Sequence, residues 1–217
     1  QRKFMGTLWN IYAFFVLYAN IDEFDATKHE LRKAEELPTM DRWLLSRLNT
    51  LITTVDNYLA DYCIPEAARA LQNFVDEMSN WYVRRCRERF WAQGMSQDKI
   101  DAYMTLYTAL VTVPMIPFMT EDIYRNLVCS IDKSAPESVH LCDYPVADAA
   151  YVDKALEERM NEALNIVVLG RAARNGANIK NRQPLGKMFV RADEALGGEY
   201  AEIIRDELNV KELEFVD

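Results

Sequence analysis

Glycine and proline are scarce, seven of each in 217 residues. That excludes collagen-like, linker-like and turn-dense architectures and leaves room for long helices. Histidine numbers only two. His29 and His140 lie far apart in stretches that read as loops and surface positions, so no Ser/His/Asp or Cys/His set suggests itself. Walker-type Gly-Lys loops, GxGxxG, GxSxG and HExxH are all missing. The four cysteines, Cys63, Cys86, Cys129 and Cys142, are scattered without a CxxC. A zinc site or disulfide framework is therefore not expected, and the cysteines read as reduced thiols of a cytosolic protein. The longest apolar run, Phe4 to Ala19, is broken by Gly6, Thr7 and Asn10, which makes it too short for a membrane span. It also lacks the basic region and cleavage site of a signal peptide. Apolar on all sides, it reads as a central helix. The first residue is Gln1, not Met, which reads as a piece of a longer protein.

What is present is ordinary globular material: 50% hydrophobic and 27% charged residues, enough chain for one domain and a small second one. Helix one is expected over Phe4–Asn20, followed by a polar loop, Ile21 to Glu36. Pro38-Thr39 opens a second helix with Trp43, Leu44, Leu48, Leu51, Ile52, Val55 and Leu59 at helical spacing. Pro65 fits the first turn of a third, which reaches Gln93 and stops at Gly94. Ser96 caps a fourth running to Val113, ended or kinked by Pro114 and Pro117. Thr120-Glu121-Asp122 reads as a further helix start, with acids in its first turn rather than a catalytic pair. After a loop over Asp132–Ala150, a helix from Tyr151 to Arg174 turns Ala155, Met160, Leu164, Val167 and Val168 inward. Lys187–Ala192 and Val210–Val216 read as short strands around a helix that follows Gly197-Gly198. The expected fold is mainly α: an antiparallel helical bundle over 1–178, then a small C-terminal α/β subdomain over 179–217.

Charge is unevenly spread. The whole chain is formally −9, yet Asn80–Trp91 carries four Arg and one Glu, and Ala163–Ala192 carries six basic residues and no acid. The remainder is about twice as negative as the whole. Such a chain is suited to one polyanion in one orientation and repels it elsewhere. On the third helix, Leu71, Phe74, Val75, Met78, Tyr82 and Cys86 form the core stripe. Arg84, Arg87 and Trp91 fall on another flank. Guanidinium forks suit phosphates, and flat aromatics suit unpaired bases. The plainer alternative for each arginine is a salt bridge to one of the many acids. For Trp81 and Phe90 it is a place in the core.

Several segments, in order, resemble the anticodon-binding region of the isoleucyl-tRNA synthetases, a family of class I aminoacyl-tRNA synthetases. They are Thr7-Leu8-Trp9-Asn10 with Tyr18-Ala19-Asn20, then Asp41 to Asn49 (DRWLLSRLN). Asn80 to Trp91 (NWYVRRCRERFW) and the Pro114–Glu121 turn follow. Gly170-Arg171 with Arg174, Ile179 to Leu185 (IKNRQPL) and Glu207 to Lys211 (ELNVK) complete the set. The valine, leucine and methionine enzymes share the bundle, but LWN, YAN and IKxRQPL favour isoleucine.

The resemblance implies a bundle that grips the anticodon stem-loop of isoleucine tRNA, within a ligase that uses ATP and Mg for aminoacylation in protein biosynthesis. HIGH and KMSKS do not occur in the chain, so the fragment is expected to be inactive alone, with no catalytic or metal-binding residue and no cofactor of its own. Its expected partners are tRNA and the catalytic domain of the same polypeptide, in the cytoplasm, with no membrane. The candidate tRNA-binding residues are Arg84, Arg85, Arg87, Arg89, Trp91, Arg171, Arg174, Lys180 and Arg182. Two other readings remain at this point: a helical protein-interaction module, and a self-contained enzyme.

Overall fold

The computed structural model describes residues 2–112, 117–192 and 195–216. It divides into two compact units, Gln1–Val152 and Asp153–Asp217. The long helix that the sequence reading assigned to the bundle therefore clusters with the tail.

The first unit is a helical bundle. Helix α1 spans Arg2–Ile21, α2 Thr39–Ala60, α3 Ile64–Glu77, α4 Arg84–Trp91, α5 Gln97–Val111 and α6 Pro117–Tyr124. With twenty residues, α1 is long and apolar enough to pass a length-and-composition test for crossing a membrane. Yet Leu8, Ile11, Tyr12 and Phe15 are buried, so one face is committed to the bundle. The polar loop that follows contains two 3₁₀ turns, Ala26–Lys28 and Ala34–Glu36. On α2 the apolar stripe buries Trp43, Leu44, Leu48, Leu51, Ile52 and Val55 as its spacing predicts. The short link at Asp61–Cys63 returns the chain antiparallel in α3, which packs against α2.

Helices α3 and α4 are one continuous rod, joined through a π-helical segment, Met78–Val83. The reason lies in the spacing of the buried residues. Phe74, Met78, Tyr82, Cys86 and Phe90 are all at most 2% exposed, and each stands four residues from the next. In an α-helix a four-residue step overshoots the turn by roughly 40°, so five such residues would wind off the core face. The wider π turn absorbs the overshoot and keeps all five inward. Beyond Ala92 the backbone turns through Gly94 at φ +75°, and Ser96 caps α5 by accepting from the Lys99 N–H at 3.3 Å.

One expectation for this unit changes. Helix α6 begins at Pro117, so Glu121 is not a first-turn cap. Its carboxylate accepts from the Ser138 hydroxyl at 2.9 Å and the Val139 N–H at 3.0 Å, fastening the later loop. The role expected for Pro114 lies outside the described residues.

The second unit starts with α7, Lys154–Gly176. It opens at Asp153, whose carboxylate accepts from the Leu156 N–H at 2.9 Å, not at Tyr151, which belongs to a 3₁₀ turn. Its buried stripe is Leu156, Met160, Ala163, Val167, Gly170 and Arg174. Ala155 and Val168, expected inward, are exposed, because the true stripe includes a glycine and an arginine that an apolar count passes over. Strand β1, Leu185–Arg191, pairs in parallel with β2, Val210–Val216, across helix α8, Gly198–Leu208. Val190, Val210, Ile203, Ile204 and Leu208 are buried in this small unit. Gly170 lets α7 approach α8: a Cβ there would meet Leu208 Cδ2 at 2.9 Å.

Candidate nucleic-acid interface

The exposed side of the α3–α4 rod carries Asn80, Arg84, Arg87 and Trp91. Arg84 lies over the half-buried Trp81 ring, 5.4 Å from its centroid, and its Nε donates to the Asn80 carbonyl at 2.8 Å. Arg87 lies over the Trp91 ring at 5.7 Å. Each arginine therefore holds its guanidinium carbon within cation–π range of an indole. Trp91 itself is 53% exposed, and its indole N–H donates to the Tyr18 hydroxyl of α1 at 2.6 Å. Arg85 is half-buried. Phe90 is buried as expected, at 1% exposure.

Arg89 points the other way. Its guanidinium donates to Asp41 at 2.9 and 2.6 Å, and its Nε to Asp98 at 2.9 Å. Asp41 is fully buried and also accepts from the Tyr82 hydroxyl at 2.5 Å. Burial alone would lower the Arg89 pKa, but the Asp41 hydrogen bonds outweigh it and hold the guanidinium firmly charged. Burial also pushes the Cys86 thiol beside it up to about 12. Arg89, a candidate tRNA contact whose plainer alternative was a salt bridge, makes that salt bridge here: a buried carboxylate needs a forked donor, and Arg89 supplies it. A second internal cluster stands at the start of α5. Buried Lys99 reaches Asp22 at 2.6 Å and the Ala92 carbonyl at 2.7 Å, while Tyr103 donates to the same Asp22 at 2.5 Å. These contacts tie α1, the end of α4 and α5 together under the ridge.

In the second unit the basic residues also divide. Arg174 is 4% exposed. Its guanidinium donates to the carbonyls of Leu208 at 3.0 Å, Lys180 at 2.7 Å and Asn181 at 3.3 Å, and to that of Gln183. Arg174 was also a candidate tRNA contact; here its side chain is wrapped in four carbonyls and holds the turn at 180–183. Arg171 pairs with Glu207 of α8. Lys180 and Arg182 stand exposed on the turn that Arg174 holds.

The partners Asp41, Asp98, Lys99 and Asp22 were missed as parts of this arrangement; of them Asp41 and Lys99 are buried. The available signal was a charged residue in phase with an apolar stripe: Asp41 with Leu44 and Leu48, Lys99 with Tyr103, Leu106 and Leu110.

An acidic helical bundle bearing an arginine-and-tryptophan ridge offers the donor and ring types that phosphates and unpaired bases take. The family described as the anticodon-binding domain of tRNA ligase matches residues 41–189, and the chain belongs to it. It is 55% identical to an isoleucine–tRNA ligase of Clostridium acetobutylicum across 99% of its own length. It is 46% identical to one of Dehalococcoides mccartyi across 98%, and 45% identical to one of Thermus thermophilus across 100%. The chain spans about a fifth of the length of these curated relatives (21%, 22% and 22%).

Proposed function

We propose that this chain is the part of an isoleucine–tRNA ligase that holds the anticodon stem-loop of its tRNA, with the α4 ridge as the contact surface. The observation that carries this reading is the pairing of two outward arginines with two indoles on one rod of an acidic chain in this family. Phosphates take the donors of Arg87, with Arg84 adding positive charge beside it, and an unstacked loop base takes the exposed indole of Trp91. Lys180 and Arg182, and Arg171 beside its acid partner, add phosphate contacts from the second unit. Arg85 contributes positive charge to the ridge. Arg89 and Arg174 act indirectly, by fixing the ridge and the turn.

The remaining four-fifths of the ligase would perform the chemistry, joining isoleucine to tRNA at the expense of ATP with Mg, in the cytoplasm. No residue of this chain is assigned to ATP or to a metal, and we expect no isoleucine-dependent pyrophosphate exchange from it.

A binding titration tests the reading. Isoleucine tRNA transcripts with the native and with an altered anticodon are titrated against the chain at several salt concentrations. Preference for the native anticodon, with affinity falling steeply as salt rises, is expected. Equal affinity for both transcripts would reduce the ridge to a non-specific polyanion surface. Binding to neither would favour a protein partner for it.

A further inference from the structure

Trp91 sits at the end of α4, where an exposed indole would ordinarily sample several rotamers. Two contacts restrain it. One ring face lies under Arg87, with the guanidinium carbon 5.7 Å from the centroid. Its edge is fixed by the 2.6 Å hydrogen bond from its Nε1–H to the Tyr18 hydroxyl. Tyr18 is itself held by rings that lead into the core. It lies against Phe14 at 4.9 Å between centroids, and Phe14 stands edge-on to the buried Phe90 at 5.1 Å.

The indole is thus supported on one face and pinned at its edge by a helix some seventy residues earlier in the chain. The residue as a whole remains 53% exposed, which leaves ring surface for a ligand.

From this geometry we infer that Trp91 and Arg87 form a composite platform that stacks one unpaired base of the RNA, and that Tyr18 is its positioning residue. The inference rests on the proposed function and narrows it to a single stacking step. Arg87 does two things in this arrangement: it backs the ring as a cation and offers its N–H groups to the phosphate next to the stacked base. Tyr18 touches no RNA. Its hydroxyl selects the ring orientation in which the exposed ring surface is presented, so the base meets a surface already set in place and less ordering is lost on binding.

The substitution that isolates this role is Tyr18→Phe, which keeps the ring on Phe14 and removes only the acceptor. The probe is an isoleucine-tRNA anticodon stem-loop carrying 2-aminopurine at one loop position at a time, since stacking quenches its emission. With the unsubstituted protein, quenching is expected at one loop position. Tyr18→Phe should weaken binding about three- to tenfold, the range of one neutral hydrogen bond, and lessen that quenching. The slope of log affinity against log salt should stay unchanged, because no phosphate contact is lost. Trp91→Leu should abolish the quenching at the same position. Arg87→Gln should instead lower the slope by about 0.7.

A folded Tyr18→Phe protein, judged by its unfolding curve, with unaltered affinity and quenching would overturn the platform while leaving the tRNA-binding reading intact. Failure of the unsubstituted protein to bind the stem-loop at all would remove both.

Discussion

Two arginines on α4, Arg87 and Arg89, are two residues apart and do opposite work. Arg87 faces out over Trp91, whereas Arg89 faces in to a fully buried Asp41. Removing one partner of such a pair strands the other. Arg89→Met should cost about 3–5 kcal/mol in a chemical unfolding titration. Pairing it with Asp41→Leu should recover much of that loss, since two apolar residues replace two charges. If Arg89 works internally, the double variant binds tRNA with an unchanged salt slope. A slope reduced by about 0.7 would return Arg89 to the RNA contacts. Cysteine reactivity follows the same inside–outside division. Burial raises the Cys86 thiol to about 12, and Cys142 is exposed. Mass-spectrometric labelling by a thiol reagent at pH 8 should modify Cys142 readily and leave Cys86 untouched until the protein unfolds. The outward residues were legible in the sequence because Arg84, Arg87 and Trp91 fall off the apolar stripe. Arg89 and Arg174 were not, because a charge reads as surface unless its buried partner is known. That partner lies 48 residues away for Arg89.

At the scale of elements, spacing was informative wherever burial alone decides position. Helix α2 follows its apolar period, and Ser96 caps α5. It was less informative where an element is held by a polar contact to a distant segment. The α7 stripe counts Arg174 as a core residue, yet only the four carbonyls around its guanidinium make that position tenable. Arg174→Lys offers one ammonium in place of the fork. It should lower stability by about 2 kcal/mol in a thermal melt. Faster amide exchange at Leu185, whose N–H donates to the Asn209 carbonyl at 3.0 Å beside this turn, should accompany the loss. The Glu121 clasp is a second case. Burial alone would raise its carboxyl, but the Ser138 hydroxyl, the Val139 N–H and the Arg125 guanidinium outweigh it and hold it below the ordinary glutamate value. A carboxyl lowered in the folded state contributes stability above its unfolded pKa and loses it as pH falls through the folded one. Protection of the Val139 N–H, as a factor corrected for intrinsic exchange, should therefore be lower at pH 3 than at pH 6. Glu121→Gln should remove that pH difference.

Over the whole molecule, the question is why a chain of the anticodon-binding family would carry a formal charge of −9 at all. A uniformly basic protein would bind any RNA in any pose, and its affinity for the right one would be diluted by the rest. Confining positive charge to the ridge and the tail turn, within an acidic remainder, makes the wrong poses repulsive. This account is testable away from the ridge. Asp56 and Asp61 are exposed at the far end of α2. Fifteen and twenty residues of helix separate them from Asp41, which anchors Arg89, so they stand about 20–30 Å along the axis from that anchor. That is more than two Debye lengths at physiological salt, roughly 8 Å each, so their charge has little direct effect on the ridge. Neutralising both, Asp56→Asn with Asp61→Asn, should leave affinity for the native isoleucine tRNA within about twofold. Binding of an unrelated RNA of the same length should tighten by about twofold or more, so the ratio between the two narrows. An unchanged ratio would mean that the acidic surface serves solubility alone, and that discrimination lies entirely in the contacts made by the ridge.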